Sequence, residues 1–113
     1  MHPDAPKLLM DAIGACERAQ SFVEDLLEND FESSVLVQSA VERQLEIVGE
    51  ALSQLSKFDS VTTAKIPELP RIIGLRNQLV HAYSKIDPHI IWTLVRDKLP
   101  GLKSQLETLL KSG

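Results

Sequence analysis

An all-α fold, an antiparallel bundle of four to five helices, is predicted by three features of this 113-residue sequence. Apolar residues recur at helical rather than strand spacing along most of its length. The apolar content is mostly Leu, Ile, Val and Ala, with aromatics at only 4%, a composition that suits helices packed on one another. Asn, Asp and Pro then break the periodic stretches into segments joined by short connections, which force neighbouring helices to alternate in direction.

The first helix is expected from near Ala5 to Glu28, with Leu8, Leu9, Ala12, Ala15, Ala19, Phe22, Val23 and Leu26 forming its apolar stripe. Asn29, with Glu32 three residues on, reads as the cap of a second helix that carries Val37, Ala40, Val41, Leu45, Val48, Leu52 and Leu55 and ends near Lys57. Residues 58–70 read as the one real loop, since Pro67 and Pro70 restrict helix formation there. A third helix follows from about Pro70 to Tyr83. Asp87-Pro88 is a start signal, a cap followed by proline at the first helical position, for a fourth helix to about Asp97. Pro100 starts or kinks a last helix through Leu110.

Length bounds this to a single domain, residues 1–113, with a modest core. The formal net charge of −4 provides no broad basic field, so any contact with nucleic acid must rely on a local cationic patch. The single Cys16 rules out an internal disulfide framework and leaves too few thiolates for a Cys-based metal site, so it reads as a small core residue. With no cationic start leading into an apolar run, and no apolar stretch of membrane length, the expectation is a cytoplasmic protein without membrane contact. His2 at the terminus and His89 in the first turn of the fourth helix receive no role, and Ile91 and Trp92 read as core or subunit-interface residues.

The stretch Arg76-Asn77-Gln78-Leu79-Val80-His81-Ala82-Tyr83 holds the chemistry. With each helical residue advancing about 100°, Asn77 lies about 100° and His81 about 140° from Arg76, and Tyr83 falls almost on the Arg76 line. Asn77 and His81 form an i, i+4 pair that can touch. Ile72 and Val80, four residues either side of Arg76, share its line, so the arginine points along the apolar stripe. A guanidinium among Ile72, Ile73, Leu79 and Val80 is costly to desolvate unless an anion or acceptor meets it. It is therefore either a buried structural ion pair or part of a site. On the second helix Glu42, Glu46 and Glu50 make an acidic line. The line reads as a solvated face, with Arg43 relieving the carboxylates, or Glu46 pairs with Arg76 and holds it in place.

The pattern Arg, four residues of which Asn is the first, then His-x-Tyr resembles the motif of the HEPN superfamily. Ile72-Ile73-Gly74-Leu75 before it and Lys85-Ile86-Asp87 after it resemble the HepT-like branch, as does the upstream run from Glu42 to Ala51. The resemblance covers nearly the whole chain. It implies a metal-independent ribonuclease that acts as a toxin and has an antitoxin partner. Carried over by residue, Arg76 would hold and stabilise the phosphate, His81 would serve as general acid or base, and Asn77 would orient His81 or the phosphate. Tyr83 would be the target of AMP transfer from a minimal nucleotidyltransferase antitoxin. No metal and no cofactor are implied. One departure is Arg71, where relatives often carry an aromatic residue; it faces water or adds a second cation near the site.

Metal-free RNA cleavage needs a base for the ribose 2′-hydroxyl proton, an acid for the leaving oxygen and a cation beside the phosphate. Histidine suits both proton transfers, and arginine's planar fork suits the phosphate. One motif histidine per chain supplies half of this, so a homodimer with facing motif helices is expected. The competing expectation is a non-catalytic helical partner subunit of a nucleotidyltransferase, favoured by the acidic net charge.

Overall fold

Helices make up every regular element of the computed structural model, which describes residues 1–81 and 86–112. They are α1 (Ala5–Val23), α2 (Glu28–Glu32), α3 (Val35–Phe58), α4 (Ser60–Thr63), α5 (Leu69–Val80), α6 (Pro88–Thr93) and α7 (Leu99–Ser112), with a π-helical turn (Leu94–Lys98) joining the last two. The long helices lie in a row: α5 against α3, α3 against α1, and α1 against α7. The outline is accordingly flattened, 42 × 29 × 19 Å. The expected all-α bundle is found.

Small residues explain the tight middle of the row. Ala12, Ala15, Cys16 and Ala19 of α1 are fully buried and let α3 approach with Val41, Val48, Leu52 and Leu55. From the other side α7 contributes Leu99, Leu102, Leu106 and Leu109, a stripe at helical spacing. Phe31, Ile91, Leu94 and Val95 close the end of the core where α2 meets α6. Each fully buried Leu contributes about 1.5–3 kcal/mol by the apolar area it removes from water. The exposed ion pairs Lys7–Asp11 and Arg43–Glu46 (2.9 and 3.1 Å) contribute about 0–1 kcal/mol each, so burial, not surface charge, holds the bundle.

Three boundaries differ from the sequence expectation. The first helix stops at Val23, not Glu28, and Phe22 is partly exposed. Arg96 donates to the Val23 carbonyl at 3.3 Å, satisfying one of the acceptors left at the helix end. Asn29 does not cap the long second helix. It lies inside the short α2, whose entry is held by Asp30 accepting from the Leu27 N–H at 2.9 Å, while Ser34 caps α3 by accepting from Val37 N–H at 3.1 Å. The stretch after α3 is not all loop, because Asp59 nucleates the single turn α4. Pro100 stands where the sequence expects it, as the second residue of the last helix. It sits in α7 just after the π-helical turn, whose wider spacing (Leu99 N–H to Leu94 O) absorbs the crowding a proline ring imposes on the preceding turn.

His2 is also not at a fraying end. Its N–H donates to Asp59 Oδ2 at 2.9 Å and its ring lies 4.4 Å from that of Phe58. The same carboxylate accepts from Thr62 N–H (3.1 Å) and Thr62 Oγ1 (2.8 Å). These hydrogen bonds, the one from His2 first, hold its pKa below the usual carboxylate range. Trp92 is half-buried, packed on Phe31 with ring centroids 5.6 Å apart, and the Arg96 guanidinium lies 5.1 Å over its ring. Cys16 is a core residue as expected, and burial pushes its thiol up to about 12.

Candidate functional site on the fifth helix

Pro70 stands in the first turn of α5, where its missing N–H costs nothing, and the helix runs to Val80. Among the long helices α5 rests mainly on α3, and Ile72 is its one buried residue. The two helices come close at Gly49 of α3. A Cβ built there would overlap Arg76 Cβ and stand 2.8 Å from Arg76 Cγ and 3.3 Å from the Ile72 carbonyl oxygen. Glycine inside a helix costs about 0.5–1 kcal/mol relative to alanine. At position 49 the gain is close approach of the two backbones, with the root of Arg76 in the crossing.

Beyond that root the side chain turns toward its own helix. Arg76 Nη1 donates to Asn77 Oδ1 at 3.0 Å, while Nε is buried and has no acceptor among the described residues. The sequence reading of Arg76 as turned inward is thus met at its stem. No carboxylate closes the ion pair imagined with Glu46: that side chain accepts from Arg43 Nη1 at 3.1 Å on α3 itself. A buried N–H donor without a partner costs about 1–3 kcal/mol, so the orphaned Nε marks a position where an acceptor is wanted.

Asn77 is exposed, and its amide oxygen is engaged by Arg76. Its link to His81 runs through the backbone, His81 N–H donating to the Asn77 carbonyl at 3.1 Å. His81 is the residue that ends α5, one turn beyond Asn77, with its ring exposed to solvent. Tyr83, expected on the same helix, lies outside the described residues. Val80, expected on the buried line, is 46% exposed because α5 has by then run past its cover. Arg71 faces solvent at the rim of a groove of about 280 Å³ formed with Ile72, Gly74, Leu75, Gln78, Ile90 and Leu94. A groove of about 570 Å³ along α1 and the start of α7 contains none of the motif residues.

The arrangement combines a constrained guanidinium, an amide that holds its outer end and a free imidazole on one solvent-facing edge. Such a set can bind an anion and move a proton. Among the described residues no group of three or more His, Cys, Asp and Glu side chains could hold a metal ion, and no helix is long and apolar enough to cross a membrane. His89, without a role in the sequence reading, faces Glu28 with Nδ1 3.1 Å from Oε2; that hydrogen bond raises its pKa above the usual histidine value. Gly49, which meets the root of Arg76, received no role in the sequence reading; a glycine inside an otherwise strong helix former is the only local trace of it.

Residues 12–109 match the family described as "Ribonuclease HepT-like". The "Probable ribonuclease HepT" of Thermococcus cleftensis is 33% identical over 106 residues, spanning 91% of this chain and 93% of its own. "Putative RNase MJ1380" of Methanocaldococcus jannaschii is 31% identical over 106 residues, 92% of this chain and 94% of its own. A protein similarly named, "Putative RNase TTE0752" of Caldanaerobacter subterraneus, is 31% identical over 96 residues, 85% of each chain. No solved structure matches. On the family match and on the extent of these likenesses, the chain belongs to the HepT-like ribonucleases, the branch of the HEPN superfamily that its Arg-Asn-His-Tyr motif resembles.

Proposed function

We propose that this protein is a metal-independent endoribonuclease toxin, a homodimer that cleaves RNA through a composite site of Arg76 and His81 from both chains. The observation that carries the reading is the orphaned Arg76 Nε: a guanidinium rooted in a helix crossing, lacking a carboxylate and one turn from an exposed histidine. A phosphate oxygen is the acceptor such a fork fits best, because two parallel charge-assisted bonds satisfy it at once. One His81 takes the 2′-hydroxyl proton as that oxygen attacks the adjacent phosphorus, and the other delivers a proton to the leaving 5′ oxygen. Arg76 stabilises the charge that builds on the phosphate between these steps. Asn77 keeps Arg76 in place.

The partner in this reading is a minimal nucleotidyltransferase antitoxin that transfers AMP to Tyr83. The tyrosyl oxygen displaces pyrophosphate from ATP at the α-phosphorus and loses its proton. The adenylate then brings negative charge beside Arg76, where RNA phosphate must sit, and silences cleavage by repulsion and occlusion. Co-expression with the partner should add AMP mass to wild type and none to Tyr83→Phe; a gain that persists in Tyr83→Phe moves the target elsewhere.

Total tRNA incubated with purified protein in EDTA decides the central point. Wild type cleaves and His81→Ala does not; equal cleavage by the two, or cleavage by wild type only with added divalent metal, refutes the mechanism. The net charge of −4 favours one other reading, a non-catalytic partner subunit of the transferase. That reading requires the chain to be harmless when expressed alone, whereas the ribonuclease reading requires toxicity that disappears in His81→Ala.

A further inference from the structure

We infer that Gly49, on a helix that carries none of the motif, is a positioning residue for Arg76; the inference rests on the ribonuclease reading of the site. Of Gly14, Gly49, Gly74 and Gly101, position 49 alone has no room for a Cβ next to another helix. At Gly14 the nearest atom is the flexible tip of Arg18, 3.2 Å away, and at Gly74 and Gly101 nothing lies within 4 Å. At Gly49 the obstacles are Arg76 Cβ, Arg76 Cγ at 2.8 Å and the Ile72 carbonyl at 3.3 Å. These are the near end of a side chain and the backbone of α5, so swinging a flexible tip relieves nothing. Only a lift or rotation of α5 does.

The crossing therefore fixes the first two carbons of Arg76. Asn77 holds the far end through the 3.0 Å bond to Nη1, leaving only the middle bonds of the side chain to move. Held at both ends, the guanidinium keeps its plane and its inward Nε, which bidentate recognition of a phosphate requires. His81 needs no such clamp, since it sits at the end of the same helix and moves with it. A methyl group at position 49 would displace Arg76 relative to α3, and an error of about 1 Å in a group that must meet the transition state costs on the order of a hundredfold in rate.

The test uses Gly49→Ala in the full-length protein, with Gly74→Ala as the control on α5 itself. Side-chain NMR of the arginine Nε–H groups reads the clamp without RNA. The Arg76 Nε–H should exchange slowly with water in wild type and Gly74→Ala, and at the rate of the exposed arginines in Gly49→Ala. Cleavage should fall about a hundredfold in kcat with KM changed severalfold at most. Adding Gly49→Ala to Arg76→Gly, which lacks the clashing carbons, should cause no further loss of cleavage. If Gly49→Ala is too unstable to assay, Gly49→Ala/Arg76→Gly removes the clashing carbons, and the melting penalty of Gly49→Ala should shrink in that background. An unmoved Nε–H signal, or an equal melting penalty in both backgrounds, overturns the inference. A signal that moves while Arg76→Ala leaves wild-type cleavage intact keeps the clamp and overturns the ribonuclease reading instead.

Discussion

Arg76 is rooted in a helix crossing and ends in an unsatisfied donor, and substitutions there separate structure from chemistry. Arg76→Lys keeps the carbons that pack on Gly49 and keeps a positive charge, but replaces the planar fork with a point charge. Its melting temperature should stay close to wild type while RNA cleavage falls at least tenfold, measured per folded molecule. Glu46 gives the contrast. Its partner is Arg43, itself 62% exposed, so Glu46→Ala should change stability by no more than about 1 kcal/mol and leave cleavage unchanged. Loss of activity in Glu46→Ala would restore the carboxylate as the support of Arg76. Cys16 makes a third residue-scale statement. Burial raises its pKa to about 12, so almost no thiolate exists at neutral pH, and alkylating reagents should label it only after unfolding. Labelling at the rate of a free thiol would contradict its placement in the core.

At the scale of elements, what the sequence could convey follows from how local the cause is. The stripes of α1, α3 and α7 were legible because periodicity is written in consecutive residues, and the Asp87-Pro88 start was legible because cap and proline act within one turn; Asp87 does accept from His89 N–H at 2.9 Å. Asn29 misled because it satisfies the local cap pattern equally well, while the longer helix won with Ser34 as its cap. Ser34→Ala should therefore cost about 1 kcal/mol in a urea melt, and Asn29→Ala a few tenths at most. Gly49 was not legible, since the atoms that exclude a side chain belong to a helix some two dozen residues away. The Asp59 cluster was hidden for the same reason, joining the chain terminus to α4. Its linkage to pH has a definite sign. Hydrogen bonds depress the folded-state pKa, so the stabilisation is complete above the ordinary carboxylate value and is lost as pH falls through the lower folded value. Asp59→Asn should flatten that acid limb of a stability-against-pH curve. His89 works in the opposite direction: its raised pKa adds stability below the ordinary histidine value that is lost as pH rises through the folded one, and His89→Ala should remove that dependence.

For the whole molecule, the position of α5 at one edge of the row bears most on function. Its inner side meets α3, yet Leu75, Leu79 and Ile73 stay only partly covered and Val80 remains open beside His81. Among the described residues, a single chain thus presents one motif arginine and one motif histidine on the open edge of α5. Two-step proton transfer needs an acid and a base at the same moment, and one imidazole cannot be both. The proposed twofold axis beside α5 would answer both needs, since it would place a second His81 across the cleft and bury the apolar flank of each copy. The expected outcome is a dimer by light scattering at micromolar concentration. Charge at the interface should then break it: Val80→Asp, on the open side of α5, should yield a folded monomer with its helical content intact and its cleavage lost. Mixing His81→Ala with wild-type chains gives a sharper result. Because the proposed site needs His81 from both subunits, the mixed dimer should be nearly as inactive as His81→Ala alone, and activity should fall with the square of the wild-type fraction. A monomer that cleaves RNA at the wild-type rate would dispose of the composite site and leave the single His81 to be explained by another proton carrier.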